Sequence, residues 1–334
     1  MLASLLLIGC TKYQEPLRLE GNTMGTTYRV LIRIDGLDVQ VEEASLHQKI
    51  DDKLILINKL MSTYDPNSEI SRFNAAPQDT PFQLTGPTAS VLAAALALAQ
   101  KTSGAFDPTI SPLVELWGFG PSSRGGGLPS TKAIKEARDR VGYQALMFEP
   151  ATGLLSSEER RRLDFSAIAK GYAVDSIAEM LLGEGFDHYL VEIGGELRGS
   201  GLKSEGVPWR VAIETPDSAS RTVFKALTLR DRAIATSGDY RNFFEFDGQR
   251  YSHTIDPATG YPVDHKTVSV SVIADTSMMA DSWATALNVM GPERGIPLAN
   301  REGLAVMMIA AKSTEPGWET FESTAMRAYL EESR

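Results

Sequence analysis

The chain has 334 residues, 43% hydrophobic and 23% charged, with 33 basic and 43 acidic side chains and a formal net charge of −10. The length is ample for a buried core, as two units or one larger one. No run of Lys or Arg stands out, so the electrostatic footprint of a nucleic-acid binder is missing. An acidic protein that takes a phosphate-bearing ligand must offset the repulsion locally, and a divalent cation is one solution.

The chain opens on Leu2-Ala3-Ser4-Leu5-Leu6-Leu7-Ile8-Gly9-Cys10. This run is shorter than the roughly 20 apolar residues needed to span a bilayer, and it suits the apolar stretch of a secretory signal. Its end, Leu7-Ile8-Gly9-Cys10, resembles a bacterial lipobox, in which the Cys is acylated and becomes the mature N-terminus; a chance hydrophobic start is the plain alternative. Cys10 is the single cysteine, so no disulfide can form within the chain and no other thiol is available for catalysis.

Residues 11–20 read as a polar tether, and 26–34 as a strand. Over 39–64 the apolar positions Leu46, Ile50, Leu54, Ile57 and Met61 recur at steps of three and four, which predicts an amphipathic helix. Residues 62–76, with Asp65-Pro66-Asn67, read as a loop. An Ala- and Leu-rich helix is expected over 85–102, stopping before Gly104. Residues 118–129 hold five Gly and two Pro, a flexible excursion with the makings of a lid. A charged helix over 131–141 follows. Further on, a helix is expected over 166–183, strands over 189–193, 209–213 and 223–229, and a hairpin over 240–253 turning at Asp247-Gly248. Residues 268–273 alternate apolar residues and Ser, as a half-buried strand does, and a helix over 276–290 follows. Several strand pairs look like hairpins, so the expectation is an α+β fold with mixed, largely antiparallel sheets and flanking helices.

Four constellations could carry chemistry. In Leu163-Asp164-Phe165-Ser166-Ala167-Ile168-Ala169-Lys170-Gly171-Tyr172-Ala173-Val174-Asp175, Asp164 or Ser166 can cap a helix whose start suits a phosphate. Lys170 can reach the same ligand. Gly171 costs about 1 kcal/mol against Ala inside a helix, a cost often tied to close approach. A capped amphipathic helix with a solvated Lys fits the same residues. In Asp281-Ser282-Trp283-Ala284-Thr285, positions 281, 284 and 285 share a helix face and offer hard oxygen donors of the kind Mg²⁺ takes; cap and surface residues fit as well. In Ser252-His253-Thr254-Ile255-Asp256-Pro257-Ala258-Thr259-Gly260, turn chemistry would hold His253 rigidly, as a general base requires; a surface His beside a plain turn is the alternative. Gly194-Gly195-Glu196-Leu197-Arg198-Gly199-Ser200-Gly201 is not a dinucleotide fingerprint and reads either as close backbone approach to a ligand or as a tight turn.

Taken in order, these pieces resemble the ApbE family of FAD:protein FMN transferases. The resemblance runs from Gly21 to Tyr329. It also takes in Thr23-Met24-Gly25-Thr26, Ser62-Thr63-Tyr64, Gly104-Ala105-Phe106-Asp107-Pro108 and Thr236-Ser237-Gly238-Asp239-Tyr240-Arg241, and it extends the helix-face motif to Ala280-Asp281-Ser282-Trp283-Ala284-Thr285-Ala286. It implies an ApbE-like, T-fold-related architecture over 21–332, behind a signal peptide at 1–9 and a lipidated tether at 10–20. It implies FAD contacts from Met24, Tyr64, Ala105, Phe106, Asp107, Asp164, Lys170 and Ile255. It implies Mg²⁺ held by Asp281, by Thr285 and by the carbonyls of Ala167 and Ala284. The implied reaction is Mg²⁺-dependent transfer of FMN from FAD to a Thr or Ser hydroxyl of an acceptor flavoprotein, with AMP leaving and His253 as general base. Acceptors would be subunits of membrane electron-transport complexes such as Na⁺-pumping NADH:quinone reductase. The implied place is the periplasmic face of the inner membrane, through acylated Cys10. An Mg²⁺-dependent FAD pyrophosphatase and a non-catalytic flavin-binding lipoprotein are the competing readings.

Overall fold

The computed structural model describes residues 15–35, 41–121, 127–216, 222–238, 243–312 and 316–332. Cys10, the centre of the Gly-rich excursion and Asp239-Tyr240-Arg241 lie outside them. The first half runs β1 (Leu17–Thr23), β2 (Thr26–Ile32), α1 (Glu43–Met61), α2 (Glu69–Ala75), β3 (Phe82–Gln83), α3 (Gly86–Lys101), α4 (Ser111–Leu116), α5 (Thr131–Arg138), β4 (Leu146–Glu149) and β5 (Leu154–Ser157). The second begins with α6 (Ala169–Gly183), β6 (Tyr189–Ile193), β7 (Glu196–Ser200), β8 (Leu202–Ser204), β9 (Val207–Glu214), β10 (Val223–Leu229) and β11 (Arg232–Gly238). It ends with β12 (Phe243–Phe246), β13 (Gln249–Ser252), β14 (Thr267–Ala274), α7 (Ser277–Glu302), β15 (Ala305–Ala311), β16 (Trp318–Glu322) and α8 (Thr324–Glu332).

The frame is an eight-stranded sheet in the order β1-β2-β6-β7-β11-β14-β15-β16, antiparallel at every pairing. The α+β expectation holds. Alternation along the strands sends side chains to two cores. Val30, Val191, Val270, Val272, Val306 and Met308 pack under α1, α3, α6 and α7. Ile234, Ile273, Met307 and Ile309 face the other way, onto β9, β10 and α8. A smaller cluster of Leu113, Trp117, Ile134, Ala137 and Ile255 joins α4 and α5 to the turn after β13.

The α1 stripe is the predicted one: Leu46, Ile50, Leu54, Ile57 and Met61 are buried. Other expectations need correction. The strand β1 begins at Leu17, inside the stretch read as tether. The predicted loop at 62–76 contains α2, too short to show periodicity; Ser68 caps it by accepting the Ser71 N–H, and Ile70 and Phe73 bury. The strand β14 is buried along almost its whole length, Ser269 and Ser271 included, because the sheet is covered on both faces. The helix read over 276–290 continues to Glu302 after a break at Gly291. Pro292 lacks the N–H that the Asn288 carbonyl would take in an unbroken helix, and the His265 Nε2–H donates to that carbonyl instead, at 2.6 Å.

Candidate active site

A cavity of about 890 Å³ opens where α1, the α3–α4 turn, the lead-in to α6, β11, the turn after β13 and α7 converge. Met24, Tyr64, Ala105, Phe106, Asp107, Asp164, Ala167, Lys170, His253, Ile255, Asp281 and Thr285 all line it. Ala284 sits behind the wall, its side chain buried. The size is within the roughly 300–1,000 Å³ typical of small-molecule sites.

The helix α6 starts later than the sequence suggested. Its N-terminal cap position is Ile168, with no side-chain capping bond. Asp164 instead closes a turn ahead of the helix, its Oδ1 accepting the Ser166 N–H at 2.8 Å. The turn is anchored from both sides. Asn74 of α2 accepts the Leu163 N–H and donates to the Leu163 carbonyl, at 2.7 and 2.8 Å, and the Asp164 N–H reaches the Pro108 carbonyl at 2.8 Å. Burial pushes the Asp164 carboxyl above the ordinary range, and the Ser166 contacts pull it partly back. Asp107 is tied in similarly: Oδ1 takes the Thr109 N–H and hydroxyl, and Oδ2 takes the Tyr143 N–H. Both of its oxygens hold the local backbone, so any contact it makes with a ligand is additional to a structural task.

The crossing of α6 over α7 explains Gly171. A Cβ there would stand 2.3 Å from the Ser277 carbonyl oxygen. The approach anticipated from that glycine is therefore made by another helix. The Gly171 N–H, a donor that a phosphate could have taken, goes to Asp281 Oδ2 at 3.0 Å. From α6, Asp175 accepts the Ser277 and Met278 N–H groups at 2.9 and 2.8 Å, placing a carboxylate on the positive end of α7. Arg198 of β7 holds the same carboxylate at 2.9 Å.

Lys170 points between two carboxylates, 3.1 Å from Glu196 Oε1 and 3.6 Å from Asp281 Oδ1. Burial opposes its charge, but Asp281 and Glu196 more than offset that, so its pKa moves upward. Glu196 is 4% exposed, and burial pushes its carboxyl up against the pull of Lys170. Sequence reasoning gave Glu196 no role. Gly194 and Gly195, both at positive φ, make the two-residue turn from β6 to β7. The glycine-rich segment thus forms a tight turn, with Gly194 also in the cavity wall, and Glu196 is the first inward residue of β7. The inward parity of that strand was the available signal.

Elsewhere the wall carries the rings of Tyr64, Phe106, Phe119 and His253, and an aromatic stack lies behind Phe119. Phe244 stacks on Tyr251 at 5.1 Å between ring centroids, Tyr251 on Trp117 at 5.8 Å, and Phe119 meets His253 edge-on at 6.3 Å. The turn beside His253 forms as its residues predict. Asp256 Oδ1 accepts the Ala258 N–H, the Asp256 carbonyl accepts the Gly260 N–H, and Trp117 Nε1 donates to the Gly260 carbonyl, each at 2.8 Å. Tyr64 is 64% exposed and donates to the Phe119 carbonyl at 3.1 Å. Met24 stands in the β1–β2 turn at φ 49°, a conformation that costs an ordinary side chain energy.

Among the described residues, the cavity lining holds four carboxyl side chains (Asp107, Asp164, Glu196 and Asp281) and one ammonium, Lys170. A pyrophosphate would be repelled there without added positive charge. No group of three or more His, Cys, Asp or Glu side chains suited to a metal occurs among the described residues. The expected set does not need one, since Asp281 is its single carboxylate. Glu196 Oε2 is buried without a hydrogen-bond partner, and Asp281 and Thr285 are hard oxygen donors beside it in the wall. That donor chemistry suits Mg²⁺.

The ApbE family model matches residues 24–308. An FAD:protein FMN transferase of Vibrio cholerae is 44% identical over 331 residues, covering 98% of this chain and 97% of that protein. One of Escherichia coli is 37% identical over 345 residues, covering 98% and 95%. The solved flavin transferase ApbE from Vibrio cholerae superposes with a TM-score of 0.86 at 41% identity, covering 94% of this chain and 99% of that one. The chain belongs to the ApbE family.

Proposed function

We propose that this protein is an FAD:protein FMN transferase whose reaction takes place in the cavity between α6, α7 and the turn after β13, with Mg²⁺ as cofactor. The observation that carries the reading is the charge of the wall. Four carboxyls against one ammonium suit a polyanion only when a cation arrives with it, and Asp281 and Thr285 supply donors for one. Relatives named FAD:protein FMN transferase along nearly their whole length support transfer over hydrolysis or storage.

FAD would lie along Met24, Tyr64, Ala105, Phe106, Asp107, Asp164, Lys170 and Ile255. Asp281, Thr285 and the Ala167 and Ala284 carbonyls would hold Mg²⁺, which when bound supplies charge neutralisation at the pyrophosphate. The chain's own residues do the rest. Lys170 presents its ammonium to the pyrophosphate. The Asn74-anchored turn keeps Asp164 in place. His253, set by the turn at 256–260, takes the proton from the Thr or Ser hydroxyl of the acceptor as that oxygen attacks the FMN phosphorus. The bond to AMP breaks, and AMP leaves with the electron pair. Positioning and charge stabilisation carry most of the rate in such transfers.

The fuller reading has a catalytic domain that starts with β1 at Leu17 and runs to 332, carried on the tether before it after removal of a signal peptide at 1–9. Acylated Cys10 would hold it at the periplasmic face of the inner membrane, within reach of flavoprotein subunits such as those of Na⁺-pumping NADH:quinone reductase. The lipobox-like Leu7-Ile8-Gly9-Cys10 supports this.

The test incubates the full chain with FAD, Mg²⁺ and an acceptor domain carrying Asp-x-x-Ser/Thr-Gly-Ala-Ser/Thr. A fluorescent acceptor band on a denaturing gel is the expected result. AMP without a band means a hydrolase, and neither product means a binding protein. His253→Ala should abolish the band while FAD still binds; a full-strength band removes His253 from the mechanism.

A further inference from the structure

Glu196 has a property that the reaction as described does not use. Its carboxylate is 4% exposed, yet Oε2 has no hydrogen-bond partner, while Oε1 holds Lys170 at 3.1 Å. An unmet acceptor in the interior is costly, and Gln or Leu at 196 would avoid the charge altogether.

Lys170 explains the arrangement. Its ammonium lies between two carboxylates and leans toward Glu196, since the 3.6 Å separation from Asp281 Oδ1 is an ion-pair distance but too long for a hydrogen bond. Asp281 Oδ2 is already engaged by the Gly171 N–H, so Oδ1 is the oxygen Asp281 has left for a cation. Lys170 is fixed to α6 one residue from that N–H and would close on Oδ1 if nothing else drew it away.

The geometry points to Glu196 as a positioning residue that holds Lys170 off Asp281, so that Asp281 Oδ1 remains available to a divalent cation. The inference rests on the Mg²⁺ reading proposed above. Oε2 is the reserve acceptor: when Asp281 turns to a cation, Lys170 N–H groups gather on both Glu196 oxygens, and the ammonium stays beside the cation site without competing for it. The site then presents the two positive charges to a pyrophosphate together.

The test is calorimetric titration of the full chain with Mg²⁺ alone, without FAD, in wild type, Glu196→Gln, Lys170→Met, the Lys170→Met/Glu196→Gln double variant and Asp281→Asn. Asp281→Asn should lose Mg²⁺ binding. Glu196→Gln should weaken it about tenfold or more, as loss of a residue that orients a metal ligand does. In the Lys170→Met background the Glu196 change should cost nothing, and the double variant should bind Mg²⁺ at least as well as wild type. Equal weakening with and without Lys170 would mean Glu196 acts on the cation or the fold directly, and overturns the proposal. Unchanged affinity in Glu196→Gln overturns it too. Should Glu196→Gln fail to fold, the double variant decides alone, affinity below wild type being the contrary result. If wild type and Asp281→Asn bind alike, the Mg²⁺ reading fails and this inference falls with it, an outcome distinct from the others because Asp281 reports it.

Discussion

Two parts of the cavity wall are built on opposite plans. The part made by α6, β7 and α7 is a backbone crossing locked by buried carboxylates: Asp175 on the start of α7, Asp281 on the Gly171 N–H, Glu196 on Lys170. The part made by Tyr64, Phe119 and His253 is a set of half-buried or exposed rings, backed by Phe244 and Tyr251 of the β12–β13 hairpin. The first is rigid because close-packed backbones and buried charges admit few alternatives. The second can shift ring against ring at small cost. For a transferase this division has a use. The nucleotide's pyrophosphate needs fixed charges, because transition-state stabilisation depends on preorganisation, whereas the acceptor is a protein that must approach and leave.

The largest effect of a single methyl group should fall on the crossing. Gly171→Ala places a Cβ 2.3 Å from the Ser277 carbonyl oxygen, and neither backbone can yield without moving a helix. A loss of about 3 kcal/mol is expected, read by chemical denaturation; a loss under about 1 kcal/mol would mean the helices slide freely. Next is Asp175→Ala, which strands the Ser277 and Met278 N–H groups and leaves Arg198 without its carboxylate. A cost of about 2 kcal/mol is expected, and Asp175→Asn, which keeps an acceptor, should recover part of it.

The sequence made the rigid part partly legible. Asp281 and Thr285 share a helix face because a helix was readable from 276, and Gly171 was recognised as a place of close approach. The partners that give those residues their meaning were not readable. Asp281 meets Gly171 across 110 positions and Asp175 meets Ser277 across 102, and nothing local encodes such pairings. Only strand parity marks Glu196 in the sequence, since the glycines before it make an ordinary hairpin turn. The start of α6 was misplaced for a related reason: Asp164 and Ser166 have the chemistry of caps, but Asn74 and Pro108 hold their backbone in a separate turn ahead of the helix. The turn at 256–260 and the α1 stripe were read correctly because their determinants lie within a few residues of one another.

The aromatic part should respond more weakly and in a different observable. Tyr251→Ala removes the ring between Trp117 and Phe244 and should cost about 1–2 kcal/mol in stability. It should lower transfer to the acceptor domain and leave Mg²⁺ affinity unchanged. A matching loss of Mg²⁺ affinity would show that the two parts are coupled and undo the comparison.

The smallest effect tests whether the rigid part keeps its charges at a cost to the fold. Burial raises the Asp164 pKa above its ordinary value. As pH climbs from the ordinary carboxylate range toward the raised value, the folded protein still holds a proton that the unfolded chain has lost, so stability falls with pH across that window and levels off above it. Asn at 164 can keep the bond from the Ser166 N–H but has no proton to lose. The melting temperature of Asp164→Asn relative to wild type should therefore climb as pH rises out of the ordinary carboxylate range and then level off, while FAD binding weakens. Parallel curves would mean that the Asp164 carboxylate is as well solvated in the folded protein as in the unfolded chain, and that the turn holds it without strain.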